Sequence, residues 1–184
     1  MNVLSETDNE KIVSFKKDDG SIGYAISWAD EKNPNKIYFA FVDQDELVVK
    51  KLVSVSSLSD SAAVATAISA AKTSFWNGSY AETYGSLTAG GIHIYFSERD
   101  AVYVTGSAAA AGGYIGTIIA AVYTKSSKVA NAVGVLVAWA IATVYWDEQN
   151  ADGSLDVRIP YVSIAKALLY QPFNVKIGDS WYIL

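Results

Sequence analysis

Two long apolar runs without a charged side chain occupy residues 107–124 and 129–146. Each run has 18 residues, so a helix of that length extends about 27 Å. That length is at the lower edge of what spans a bilayer, and it also suits a buried helix in a soluble domain. A link of four residues, Lys125 to Lys128, joins the two runs. The pattern therefore predicts an apolar helical hairpin with a basic tip.

Small residues recur at every fourth position in both predicted helices. They are Gly112 and Gly116 in the first helix, and Gly134 and Ala138 in the second. Small side chains at this spacing allow two helix backbones to approach closely. The spacing is typical both of two associated membrane spans and of a tight helix pair in a soluble core, so it leaves both interpretations open.

Aromatic and basic residues mark the ends of the hairpin. Tyr123 lies at the end of the first run, Trp146 ends the second, and Trp139 lies within the second. Aromatic residues favour a bilayer interface, and an inserted hairpin would keep Lys125 and Lys128 on the cytoplasmic side. In a soluble hairpin, the same lysines would form a solvated turn. We take these residues, with the four small ones, as the candidate membrane-contacting set.

Alternation of apolar and polar residues predicts a β region before the hairpin. Strands 12–15 and 22–28 flank a turn that contains Asp19-Gly20, a strong hairpin signal. Residues 36–42 and 46–53 are predicted as a second strand pair. The four strands together predict an antiparallel meander.

An alanine-rich segment predicts a helix at about residues 58–75, with Ser59 or Asp60 as its N-cap. Residues 77–91 are rich in Gly, Ser and Thr and are predicted as a loop. A further hairpin is predicted from strands 92–96 and 101–104, which places His93 on the polar face of a strand. After the apolar hairpin, the pattern predicts strand 155–161, a short helix 163–170, and strands 174–177 and 181–183.

These elements predict one α+β domain over residues 1–184. It comprises a β-rich part at 1–104, the apolar hairpin at 107–146 and C-terminal strands at 154–184. An antiparallel sheet and the alanine-rich helix would pack around the central hairpin, because an apolar helix in a soluble fold must be covered. The alternative is a soluble β region followed by two membrane spans.

Composition narrows the chemistry. The chain has no cysteine and one histidine, which disfavours a thiol nucleophile, a metal site built from these residues and a Ser-His pair. The acidic turn at 148–153 only partly matches a calcium-binding loop, because Ile159 stands where a glutamate ligand is required. No phosphate-binding or dinucleotide-binding motif occurs. We therefore predict no enzyme activity, no metal and no cofactor.

Charge and aromatic content bear on the partners. The net charge of −5 disfavours nucleic acid. Charged residues make up only 18% of the chain, which also holds 12 tyrosines and 5 tryptophans. This composition argues against disorder and favours a buried core or an apolar partner.

The hairpin at 107–146 is similar in composition and length to that of bacteriocin-like, pore-forming antimicrobial proteins of the hydrophobic-hairpin type. The resemblance implies a membrane-active protein, a toxin or its precursor, whose hairpin leaves a soluble shell and inserts into membrane lipid. It also implies a secreted or extracellular location, although the first residues show no signal-peptide pattern. The alternative hypothesis is a soluble binding or structural module in which the hairpin is permanent core. Its basis is the excess of Tyr and Trp, which are favoured at binding surfaces.

Overall fold

The computed structural model describes residues 1–123 and 126–184, apart from the side chains of residues 108 and 121–123. Its framework is a nine-stranded antiparallel sheet, with helices on both faces. The α+β class predicted from the sequence is confirmed. The strands are β1 (Asn2–Glu6), β2 (Glu10–Lys16), β3 (Ile22–Ala29), β4 (Lys36–Asp43), β5 (Tyr80–Tyr84), β6 (Gly91–Phe96), β7 (Leu155–Pro160), β8 (Asn174–Ile177) and β9 (Ser180–Ile183).

The sheet follows chain order, and every strand pairs antiparallel with the next. Six α-helices lie in the described residues and connect or cover these strands. They are α1 (Gln44–Val49), α2 (Ser61–Phe75), α3 (Glu98–Thr105), α4 (Ala108–Tyr123), α5 (Ser127–Glu148) and α6 (Tyr161–Leu168). Asp60 caps α2 by accepting hydrogen bonds from the backbone N–H groups of Ala62 and Ala63.

Alternation along the strands produces a core on each face of the sheet. On one face, α2 and α1 cover β1 to β4. Residues on this face include Ile12, Tyr24, Ile26, Ala40 and Val42, which pack against Leu47, Val64 and Ile68. The other face carries α4 and α5, and its larger core extends across the sheet. Strand residues of this core include Val13, Ala25, Phe39, Ile94, Val157 and Val175.

The helices α3, α4 and α5 form an insertion between two neighbouring strands. Phe96 at the end of β6 pairs with Leu155 at the start of β7, so the chain leaves the sheet and returns at the same point. Strands β6 and β7 therefore pair directly, although the chain that connects them forms α3, α4 and α5.

The predicted strand at 46–53 is wrong, because residues 46–49 belong to α1. Asp45 and Glu46 lie in its first turn, where acidic side chains interact favourably with the helix dipole. Leu47 is buried in the core beneath α2. The free edge of β4 pairs instead with β5, at Tyr38 and Tyr80. The β propensity of the valines is therefore overridden by tertiary pairing.

The predicted strand at 101–104 is also wrong, because this segment belongs to α3. Ser97 caps the helix by accepting a hydrogen bond from the backbone N–H of Asp100. Ala101 and Val104 are three residues apart, so they face the core on the same side of the helix. Strand β5 was predicted as loop, and β1 was not predicted.

Asp100 in α3 is fully buried, and its Oδ2 lies 2.5 Å from the Ser79 hydroxyl. Among the described residues, its Oδ1 has no hydrogen-bond partner. Burial raises the pKa of this carboxyl, and the bonds from Ser79 and Ser97 oppose that effect only in part. The folded protein therefore binds this proton more tightly than the unfolded chain does.

We expect Asp100→Asn to stabilise the protein increasingly as the pH rises. A raised folded-state pKa means that wild-type stability is greatest below the unfolded pKa of about 3.9 and falls as the pH approaches the folded value. Asparagine keeps an acceptor oxygen for the Ser79 hydroxyl but carries no charge. Urea unfolding of both proteins at about pH 4.5 and about pH 8 measures the effect. A difference in stability that is equal at the two pH values contradicts the prediction.

Candidate functional site

The small residues selected from the sequence lie at the interface of α4 and α5. A Cβ added at Gly116 would lie 2.0 Å from the carbonyl oxygen of Ala130. One added at Gly112 would lie 2.6 Å from the Gly134 carbonyl oxygen and 2.9 Å from Ala138 Cβ. Real Cβ atoms do not approach other atoms so closely. The two helix backbones are therefore in direct contact at these positions, where glycine has a hydrogen atom in place of a side chain.

The hairpin is joined to the sheet through α4. Tyr114 is fully buried, and its hydroxyl lies 2.9 Å from both the Lys11 carbonyl oxygen on β2 and the Ser27 hydroxyl on β3. Ile115 and Ile119 flank it in the same core. The first hairpin helix is thus enclosed between the sheet and α5.

The remaining candidates from the hairpin lie on the outer helix or outside the described residues. Lys128 is exposed in the first turn of α5, Trp139 is half-buried against Tyr182, and Trp146 is 65% exposed at the far end. Lys125 and the Tyr123 side chain lie outside the described residues.

In the described part of the chain, α5 alone is long and apolar enough to cross a membrane, but just over half of its apolar window is buried. A buried core helix has the same property.

The second candidate site is the face of β5 to β8 that points away from the hairpin, which we call the open face. The helices that contact β5 to β8 are α3 to α6, and their contacts with the sheet belong to the hairpin-side core. In the described residues, the main contacts of α1 and α2 with the sheet are with β1 to β4. The open face consists of the alternate residues Tyr80, Glu82, Tyr84, His93, Tyr95, Asp156, Arg158 and Lys176.

His93 lies at the centre of the open face between two carboxylates. Its Nε2 is 2.6 Å from Asp156 Oδ1, and its Nδ1 is 3.9 Å from Glu82 Oε1. Asn150 donates a hydrogen bond of 2.9 Å to the other oxygen of Asp156. The bond with His93 is the main cause of a lowered pKa of Asp156, so this carboxylate is ionised at neutral pH and accepts from the imidazole N–H.

Aromatic rings form one side of the open face. Tyr80 and Tyr95 are stacked across the strands with ring centroids 5.3 Å apart, and the Tyr80 ring meets the edge of His93 at 5.6 Å. The Lys36 Nζ lies 4.3 Å from the centroid of Tyr80. Burial and the neighbouring Glu82 raise the pKa of Tyr80, which is therefore a neutral phenol at physiological pH.

The aromatic surface continues onto β4 and the end of α2. Tyr38 pairs with Tyr80 across the strands, and its ring centroid lies 5.0 Å from that of Trp76. Trp76 is 38% exposed and donates its indole N–H to the Ser79 carbonyl. Tyr38 and Tyr80 are anchored on paired strands, and the hydrogen bond to Ser79 orients the indole of Trp76 beside them.

The sequence predicts His93 on the polar face of a strand, and His93 does lie on the polar face of β6, where it is 9% exposed between two acidic neighbours. The other residues of the open face were not selected. Alternating Tyr, Glu and Tyr at positions 80, 82 and 84 was an available signal, which the assignment of 77–91 as loop concealed.

In residues 1–123 and 126–184, no group of three or more acidic or histidine side chains is arranged to hold a metal ion. Comparisons with protein-family models, curated proteins and solved structures found no match. The function must therefore be argued from the two sites themselves.

Proposed function

We propose that the protein is a non-enzymatic binding module that recognises a carbohydrate on its open face. The observation that carries the proposal is the array of Tyr80, Tyr95, Glu82 and Asp156 on neighbouring strands, which the buried His93 holds together through its bond with Asp156. Helices cover the opposite face of these strands and both faces of β2 to β4, so a surface left without a helix gives up apolar burial that the rest of the sheet has. In this proposal the hairpin is permanent core.

The chemistry of the open face matches that of a sugar. A pyranose ring presents a flat face of C–H groups, which the electron-rich face of an aromatic ring attracts. Its hydroxyls donate to carboxylates such as Glu82 and Asp156, and they accept from cations such as Lys36 and Arg158. Both charge signs are interspersed among the rings, whereas a nucleic acid would require an excess of positive charge that a chain of net charge −5 lacks.

Hydrolysis is a weaker interpretation of the same residues. The imidazole Nε2 is engaged by Asp156, and His93 is nearly buried, so it has little contact with a reacting group. Glu82 and Asp156 lie on an open sheet face, whereas two carboxylates that cleave a glycosidic bond act from opposite sides of a substrate. The cluster is better suited to holding the binding surface in place.

Tyr80→Ala is expected to weaken binding of the preferred glycan at least about fivefold, which corresponds to about 1 kcal/mol. The protein is first screened on an array of hexose, N-acetylhexosamine and uronic acid oligosaccharides, and the best ligand is then titrated by calorimetry. Tyr80→Phe keeps the ring and is expected to retain binding. Tyr170→Ala, at a residue that is 98% exposed and lies beside α6 on the hairpin side of the sheet, is the control. Binding to none of the array glycans contradicts the proposal, as does equal binding by Tyr80→Ala.

Membrane activity through the hairpin remains a second proposal, because one feature of the topology favours it. The hairpin is inserted between β6 and β7, which pair directly at Phe96 and Leu155. Its departure would leave the strand order intact. Against it stands the burial of Tyr114, Ile115 and Ile119 in the main core, which release would expose to water.

A further inference from the structure

An apolar groove runs along α5 on the hairpin side of the sheet. Its volume is about 650 Å³. One wall is a stripe of α5 residues spaced by three and four positions, namely Lys128, Ala132, Val135, Leu136 and Trp139. This stripe is about 17 Å long at the helical rise per residue. The groove therefore extends along about three turns of α5.

The opposite wall comes from α6 and the segments after it. Leu168 and Phe173 contribute apolar side chains, and Tyr170 stands at the rim with 98% of its surface exposed. Val135 is 71% exposed on the α5 side. Apolar side chains that line one continuous groove in this way are typical of a binding site, whereas single exposed apolar residues are not.

The polarity of the groove is concentrated at one end. Among the described residues, Lys128 is the only charged side chain that lines it, and Asn131 lies one turn further along. Lys128 is exposed and forms no ion pair with any described residue. It also lies in the first turn of α5, where the helix dipole favours a negative charge.

We propose that this groove binds a single-chain anionic amphiphile, such as a fatty acid, with its carboxylate at Lys128 and its chain along Val135 and Trp139. A positive end and an apolar channel complement the two parts of such a molecule. A bilayer surface fits less well, because membrane-surface helices carry several lysines or arginines and this chain has a net charge of −5. The groove is on the hairpin side of the sheet, so this proposal is independent of carbohydrate binding on the open face.

Calorimetric titration with laurate, below its micelle concentration, tests the groove in the full-length protein. We expect one laurate per chain, and at least tenfold weaker binding of dodecyltrimethylammonium, which has the same chain length and the opposite charge. Lys128→Gln should reduce this preference for the anion. Val135→Glu should weaken laurate binding at least tenfold, because it places a carboxylate in the channel at an exposed position where folding is unaffected.

Thr143→Glu is the matched control. It adds the same charge at an exposed position of α5 outside the groove and should leave laurate binding unchanged. Equal affinity for the cationic amphiphile overturns the proposal, as does laurate binding that Val135→Glu leaves intact. Sedimentation with phosphatidylglycerol vesicles in the absence of laurate binding would indicate membrane docking instead. A dimer that Val135→Glu dissociates, again without laurate binding, would identify the groove as a contact between copies.

Discussion

Gly116→Ala is expected to lower the free energy of unfolding by at least about 2 kcal/mol. Helix propensity alone predicts the opposite, a gain of about 1 kcal/mol for alanine over glycine. The contact geometry reverses the sign, because the new Cβ would lie 2.0 Å from the Ala130 carbonyl oxygen and 2.8 Å from the Gly134 nitrogen. Both are backbone atoms of α5, so only separation of the two helices relieves the overlap. Urea unfolding followed by tryptophan fluorescence measures the change.

Gly113→Ala provides the matched control within the same helix. A Cβ at Gly113 would have no atom within 4 Å, so the gain in helix propensity should remain, at up to about 1 kcal/mol. The two neighbouring substitutions should therefore change stability in opposite directions. If both variants are stabilised, α4 and α5 do not pack through Gly116, and the hairpin geometry described above is wrong.

The hairpin could be predicted from the sequence because its signals are local. Two uncharged runs, a four-residue basic link and small residues at every fourth position suffice to indicate two packed helices. The hairpin formed by β2 and β3 was predicted for the same reason, since Asp19-Gly20 lies between two alternating segments. In these segments, the local preference and the tertiary structure agree.

The errors lie where tertiary contacts decide between two local possibilities. Residues 46–49 and 101–104 are short apolar segments compatible with either strand or helix. In the first segment, the edge of β4 pairs with β5 instead of with residues 46–53. Strand β5 begins 37 residues further along the chain, counted from Asp43 to Tyr80. In the second, the cap at Ser97 starts a helix whose core-facing residues are three apart. Neither contact follows from hydrophobic periodicity alone.

The open face could not be predicted for a related reason. His93 and Asp156 are separated by 63 residues, and the hairpin insertion lies between them. Their proximity requires both that β6 pairs with β7 and that the register sets Tyr95 opposite Asp156. A sequence pattern identifies such residues as polar strand positions, but only the register shows which of them meet.

The expected role of Tyr114 differs between a hairpin that stays buried and a hairpin that is released into a membrane. Its hydroxyl joins α4 to β2 and β3 inside the main core. If the hairpin is permanent core, this connection only stabilises the fold, and weakening the connection produces no membrane activity. A hairpin that must leave its shell would be released more readily once the connection is lost.

Tyr114→Phe is expected to lower the free energy of unfolding by about 1–3 kcal/mol, because the Lys11 carbonyl and the buried Ser27 hydroxyl lose a shared partner. Tyr170→Phe makes the same chemical change at a residue that is 98% exposed and should have no effect. Wild type and the two variants are then added at micromolar concentration to anionic liposomes that contain a self-quenched dye. With the hairpin as permanent core, we expect no dye release from any of them, despite the lower stability of Tyr114→Phe. Dye release by wild type that Tyr114→Phe increases and Tyr170→Phe leaves unchanged would instead establish the hairpin as a membrane-inserting element.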